Sequence, residues 1–183
     1  MTPLVILDRD GVINAESDAF IKSVAEWHPL PGSLEAIARL NRAGVRTALA
    51  SNQSGVARGL LSEADLRAIH AHIEAALANL GGRLDPAGYC TAGPDSDDPR
   101  RKPAPGMLLE IAEELGVSLA GVPYVGDSWR DVQAARAAGA TPVLVRTGHG
   151  ARTEAEHDLT GVSVHDDLAA FADAWLSQSA EVS

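Results

Sequence analysis

Five short apolar runs, PLVIL (3–7), VRTALA (45–50), AGYC (87–90), VPYVG (122–126) and TPVLV (141–145), are each separated from the next by a stretch with the spacing of an amphipathic helix. Several are rich in Val, Leu and Ile without the alternation of a half-exposed strand, which is the pattern of strands covered on both faces. The segments between them carry helix punctuation. SLEAIARLNRAG starts at Ser33 as N-cap and stops at Gly44, and SEADLRAIHAHIEAALANLGG opens on Ser62 with Asp65 three residues on and closes on Gly81 and Gly82. PGMLLEIAEELG has Pro105 near its start and Gly116 at its end, and SWRDVQAARAAG runs from Ser128 to Gly139. A weak strand near GVSV and a helix over DDLAAFADAWL complete the series, and the tail after Leu176 reads as frayed.

Strand and helix in regular alternation imply an α/β fold, a doubly wound parallel sheet with helices on both faces. With 183 residues, 45% of them hydrophobic and 22% charged, residues 1–183 read as a single domain with a full core. Right-handed crossovers leave few topologies. If the order reverses after the third strand, the first strand lies between the second and the fourth, and the crevice above their carboxyl ends is the expected binding site. Those ends carry the polar clusters Asp8, Arg9, Asp10; Ser51, Asn52, Gln53, Ser54, Gly55; and Gly126, Asp127, Ser128, Trp129, Arg130, Asp131.

The formal charge of -10 repels a phosphate backbone over most of the surface, so no nucleic-acid partner is expected. One cysteine, Cys90, allows no intramolecular disulfide. There is neither the pattern of a signal peptide nor a run approaching the roughly 20 apolar residues of a membrane span. The chain reads as soluble, cytoplasmic and monomeric, with no membrane partner.

Asp8 and Asp10, with Gly11 behind them, end the first strand in two like charges. With Asp127 they would place three carboxylates near one spot, which is costly unless a cation or shared protons offset it. Mg²⁺ fits: it takes oxygen ligands and is usually held by one or two carboxylates plus substrate phosphate. No thiolate or imidazole neighbours these carboxylates to favour a softer metal. Taken alone, Asp-x-Asp-Gly suits an ordinary turn equally well. Ser51 and Asn52 offer a hydroxyl, an amide and backbone N–H groups to phosphate oxygens, with Gln53 beside them, and Lys102 supplies a cation just before a helix start.

LDRDGVIN, SNQSG, RKPAPGM and VGDSWRD, in that order, resemble the four signature motifs of the haloacid dehalogenase superfamily of phosphatases, over about residues 3 to 148. The resemblance implies that Asp8 attacks phosphorus and becomes an aspartyl-phosphate and that Asp10 is general acid and base. It implies that Asp127 holds Mg²⁺ with Asp131 behind it, and that Ser51 and Lys102 bind phosphate. The stretches 11–50 and 55–102 leave no room for a separate cap domain. Within the superfamily, DAFIKSVAEWHPLPGSLEAIARL and VLVRTGHG are most similar to the D-glycero-D-manno-heptose 1,7-bisphosphate 7-phosphatases; the histidinol-phosphate phosphatases share all four motifs. The resemblance implies a small phosphorylated sugar as substrate, with Arg101 on its distal phosphate. Another small phosphomonoester, or a catalytically silent relative that binds a phospho-ligand or partner, is the alternative; Asp8, Asp10, Lys102 and Asp127 are all kept.

Both groups commonly carry a zinc loop, Cys-x-His then Cys-x-Cys before Arg-Lys-Pro. Here only Cys90 remains, and 93–100 holds no Cys or His, so no zinc is expected and Cys90 reads as a buried residue. His70 and His72 read as solvated helix positions, His149 as an exposed loop position, and Trp129 as core or pocket rim.

Overall fold

The computed structural model describes residues 2–181, with side chains to residue 178. Its strands are β1 (Leu4–Leu7), β2 (Arg46–Asn52), β3 (Ala87–Cys90), β4 (Pro123–Gly126), β5 (Thr141–Val145) and β6 (Ser163–His165). They form one parallel sheet in the order β3-β2-β1-β4-β5-β6. The order reverses after β3 as expected, and β1 lies between β2 and β4.

The helices are α1 (Ser33–Arg42), α2 (Glu63–Asn79), α3 (Gly106–Leu115), α4 (Trp129–Ala138), α5 (Gly150–Glu156) and α6 (Leu168–Glu181). Alternate residues of each strand face opposite layers. Val5 and Leu7 of β1 join Leu49, Val125 and Val143 against Ile37 and Leu40 of α1, Ile69 and Ile73 of α2 and Phe171 of α6. Leu4 and Ile6 join Ala48, Ala50 and Tyr124 against Met107, Leu108 and Ile111 of α3 and Ala134 and Ala135 of α4. With helices on both faces, the strands could be apolar throughout, and they announce themselves in the sequence for that reason.

Three local expectations need correction. The N-cap of α1 is Gly32, at φ +75°, and Ser33 is already helical; its Oγ donates to Ile13 O (2.6 Å), fastening α1 to the loop after β1. α5 was not anticipated, because GARTEAE has no apolar face and buries only Gly150 and Thr153. α6 continues past Leu176 to Glu181. The Ser62–Asp65 capping box of α2 is present as the sequence predicts.

Candidate active site

The carboxyl ends of β1, β2 and β4 open into a cavity of about 250 Å³ lined by Asp8, Asp10, Asn52, Gln53, Lys102, Asp127 and Asp131 at its floor and by Glu16, Asp18, Phe20, Arg101, Arg130 and His149 toward its mouth. Asp8 continues β1, and its backbone N–H donates to Val125 O (2.9 Å), so the β1–β4 pairing positions it. Each of Asp8, Asp127 and Asp131 offers one carboxylate oxygen within 4.8 Å of the others. Asp131 thus joins Asp8 and Asp127 in the tightest carboxylate group, while the Asp10 side chain lies in the same cavity outside that group.

The Asp10 carboxylate turns to a different set of partners. Oδ1 accepts from Arg9 Nε (3.0 Å) and Asn14 Nδ2 (2.9 Å), and Oδ2 accepts from Gln53 Nε2 (2.8 Å) and Arg9 Nη2 (3.3 Å). Burial alone would raise its pKa, but the Arg9 charge and these donors outweigh it and hold Asp10 below the usual carboxylate range. Gln53 also accepts from Arg9 Nη2 (2.9 Å), so its amide bridges Arg9 and Asp10 at the cavity. Arg9, placed by the sequence in the polar cluster after β1 but given no role there, is fully buried against the face of Tyr89, and Asn14 was not anticipated as a site residue.

Lys102 enters from the loop before α3. Its Nζ lies 3.0 Å from Asp8 Oδ1, 2.7 Å from Asp131 Oδ1, 2.6 Å from Tyr124 Oη and 3.1 Å from Ala50 O. Burial would push this ammonium toward neutrality, but Asp131 and Asp8 beside it reverse the shift and raise its pKa. Asn52 lines the same cavity. Its side chain clamps the Lys102 main chain, donating to the carbonyl (3.0 Å) and accepting from the N–H (3.1 Å). Ser51 is buried, and its hydroxyl accepts from Gln53 Nε2 (3.1 Å).

Burial drives the Asp8 carboxyl up to about 7, with Lys102 opposing and Asp131 and Asp10 reinforcing. Burial, then Asp131 and Asp8, drives Asp127 up to about 9. A cluster that cannot keep its charges without help, built only from hard oxygen donors, fits Mg²⁺. Asp8 and Asp127 would hold it, since both oxygens of Asp131 are engaged: Oδ1 with Lys102 and Oδ2 with Ser128 N (3.0 Å) and Oγ (2.7 Å).

Arg101 lines the mouth, with Nη1 donating to Ala92 O (2.9 Å). Partial burial and then the nearby Arg130 lower its pKa. His70 is not a solvated position: its Nδ1 meets Tyr89 Oη at 2.7 Å. His72 packs edge-on against Trp27. Trp129 is neither core nor rim, stacking on His157 with ring centroids 4.5 Å apart. Cys90 is buried.

With this geometry in hand, comparison with known proteins is specific. A family model described as HAD-hydrolase-like matches residues 99–171. A D-glycero-beta-D-manno-heptose-1,7-bisphosphate 7-phosphatase of Bordetella bronchiseptica is 54% identical over 96% of this chain and 99% of its own. The chain belongs to this haloacid dehalogenase family. A heptose-bisphosphate phosphatase of the same name from Pseudomonas aeruginosa is 51% identical over 94% of this chain and 97% of its own. Among solved members, the D,D-heptose 1,7-bisphosphate phosphatase of B. bronchiseptica, complexed with magnesium and phosphate, is similar at TM-score 0.94 and 54% identity, covering 96% of this chain and 99% of that one. The corresponding structure from Burkholderia thailandensis has TM-score 0.76 at 46% identity, with coverage of 96% and 99%.

Proposed function

We propose that the protein is a Mg²⁺-dependent phosphatase that removes the C7 phosphate of D-glycero-β-D-manno-heptose 1,7-bisphosphate through an aspartyl-phosphate on Asp8. One observation carries the reading: Lys102 Nζ sits 3.0 Å from Asp8 Oδ1 at the floor of a cavity whose mouth presents Arg101. A nucleophile and a cation beside the reacting phosphate, with a second cation set apart, suit a bisphosphate. Membership of the heptose-bisphosphate family supports the sugar.

Mg²⁺, which Asp8 and Asp127 would hold, would supply charge neutralisation on the phosphoryl oxygens. Lys102 adds a fixed positive charge, anchored so that no reorganisation is needed as negative charge shifts in the transition state. Asp8 attacks phosphorus, and the bond from phosphorus to the C7 oxygen breaks. Asp10, when protonated, gives its proton to that oxygen; it then takes one from the water that attacks the phosphorus on Asp8, which releases phosphate and restores Asp8. The donors from Arg9, Asn14 and Gln53 favour the ionised carboxylate and so suit the base half of this cycle.

The net charge of -10 and the scatter of exposed large hydrophobics, Val24, Leu60, Leu80 and Leu109, over separate elements support a cytoplasmic monomer acting on a small molecule, without nucleic acid or membrane. Among the described residues, no helix is long and apolar enough to cross a membrane.

The test is turnover of heptose 1,7-bisphosphate with Mg²⁺, followed by ³¹P NMR to see which phosphate leaves. Loss of the C7 signal with C1 retained is expected, and Asp8→Asn should abolish it. Phosphate trapped on any residue other than Asp8, or faster turnover of histidinol phosphate, would overturn the assignment.

A further inference from the structure

We infer that the segment Thr147–Gly150 is a positioning clasp for the Asp127 carboxylate, and that it sets how tightly the site holds its divalent cation. The inference rests on the reading of Asp8 and Asp127 as the Mg²⁺ ligands. Nothing in the heptose-phosphatase reading itself requires it, because this segment follows β5, two residues beyond the last strand residue to face the core.

Three hydrogen bonds join the segment and α5 to the site. The His149 backbone N–H donates to Asp127 Oδ2 (2.8 Å), while no hydrogen bond reaches Asp127 Oδ1 among the described residues. Thr147 Oγ1 donates to Gly11 O (2.6 Å), tying the segment to the turn that follows Asp10. Thr153 Oγ1, one turn into α5, donates to the Asp127 carbonyl (3.0 Å). One oxygen of Asp127 is thus fixed by protein and the other is left for the carboxylate cluster.

Space points the same way. A Cβ on Gly148 would overlap Asp127 Oδ2 and come within 2.6 Å of Gly11 Cα, and a Cβ on Gly11 would overlap the same oxygen. Both glycines have positive φ, +57° and +79°, so conformation and space exclude a side chain together. A Cβ on Gly150 would strike the Val145 carbonyl, which holds the far end of the segment against β5. Two glycines from loops far apart in sequence therefore pinch a single carboxylate oxygen. Mg²⁺ demands near-ideal octahedral geometry, so a carboxylate pushed from its place loses metal affinity before the fold need give way. Outer partners that orient a metal ligand typically matter by about 10–100-fold in metal affinity.

The test is calorimetric titration of the full chain with Mg²⁺ alone. Gly148→Ala should weaken Mg²⁺ binding by about 10-fold or more, and phosphatase activity should return as Mg²⁺ is raised. A purely structural role for Gly148 would lower the melting temperature and leave the Mg²⁺ dissociation constant of the folded protein within twofold of the parent, which would overturn the inference. A second pair decides if Gly148→Ala does not fold. His149→Pro removes the N–H and puts ring carbon in the place from which it donates to Asp127 Oδ2, whereas His149→Ala keeps the donor. His149→Pro should bind Mg²⁺ several-fold more weakly than His149→Ala; equal affinities would overturn the clasp. A parent protein that binds no Mg²⁺ would instead sink the metal-ligand reading on which the clasp stands.

Discussion

Asp131 Oδ1 lies 2.7 Å from Lys102 Nζ, and both side chains are buried. The pair joins the first turn of α4 to the loop before α3, so the cation that faces Asp8 is held by a residue that itself has no need to touch substrate. Tyr124 Oη, 2.6 Å from the same ammonium and donating to Ala50 O (2.9 Å), completes the holder from β4.

Asp131→Asn should therefore damage both stability and catalysis. Breaking a buried ion pair by removing one partner typically costs roughly 3–5 kcal/mol, and Lys102 keeps only Asp8 as a counter-charge. Thermal unfolding should register the loss, and kcat should fall by about 10- to 100-fold as Lys102 loses its fixed position. Tyr124→Phe is the milder probe: it keeps the ion pair and removes the hydroxyl that accepts from Lys102 and donates to Ala50 O, and a hydrogen bond to a charged group is typically worth about 1.5–3 kcal/mol. An Asp131→Asn protein that is less stable but turns over at the parental rate would restrict Asp131 to capping α4.

The raised Asp8 and Asp127 carboxyls predict a pH dependence with a definite sign. Their folded pKa values, about 7 and about 9, exceed the ordinary carboxylate value of 3.8. Between these limits the folded state binds more protons than the unfolded chain, so their contribution to stability is complete at low pH and is lost as pH rises through about 7 and then about 9. Metal-free protein should then melt at progressively lower temperature from pH 6 to pH 9. Mg²⁺ competes with those protons, so its affinity should rise over the same interval and its binding should release protons. Calorimetry in buffers of different ionisation enthalpy measures the release. A melting temperature in chelator that is flat or rising from pH 6 to 9 would contradict the assignment.

Zinc should be absent from the purified protein. The loop from Thr91 to Arg100 is ordered by other means: Ser96 N–H donates to Gly93 O (3.1 Å), Asp98 N–H to Ser96 Oγ (3.1 Å), and Arg100 N–H to Asp98 Oδ1 (2.8 Å). Gly106 N–H donates to Pro99 O (2.9 Å), closing the loop onto α3. With one buried thiol and no imidazole in the loop, no four-coordinate site can form there. Elemental analysis after chelator-free purification checks this, and one zinc per chain would refute it.

How much of this was legible in the sequence follows from which forces act locally. The strands stood out because a sheet covered on both faces needs unbroken apolar runs, and Asp8, Asp127 and Lys102 stood out because charge at a strand end or helix start is unusual. The partners of Asp10 did not, because Gln53 reads as one more polar residue in a loop until the packing of β2 beside β1 brings its amide to 2.8 Å from Asp10 Oδ2. Arg9 lies between the two conspicuous carboxylates and is buried completely, which no local pattern signals for an arginine. His149 looked like a loop position because its contribution comes from a backbone N–H, which carries no mark in a sequence. Three glycines within or facing that segment were the available clue, since crowded backbone around a site calls for residues without Cβ.

Arg101 offers the sharpest probe of the substrate. Its guanidinium lines the cavity mouth, one nitrogen is spent on Ala92 O, and the neighbouring Arg130 has no ion-pair partner among the described residues. If the phosphate at C7 lies over Asp8, the phosphate at C1 reaches toward this rim, where Arg101 presents a charge-assisted contact. Arg101→Ala should reduce kcat/KM for the bisphosphate by roughly 10- to 100-fold, a loss of about 1.4–2.8 kcal/mol, in the usual range for a hydrogen bond to a charged group. A simple monophosphate has no second anchor and should lose much less. The difference matters more here than in an enzyme that closes a domain over its substrate, because binding energy from the remote phosphate is what orients the reacting one. Loss of the Ala92 contact is the competing cause, since it could loosen the loop that carries Lys102, and it would slow both substrates alike. Equal losses for bisphosphate and monophosphate would therefore assign Arg101 to the loop, and a selective loss would assign it to the distal phosphate.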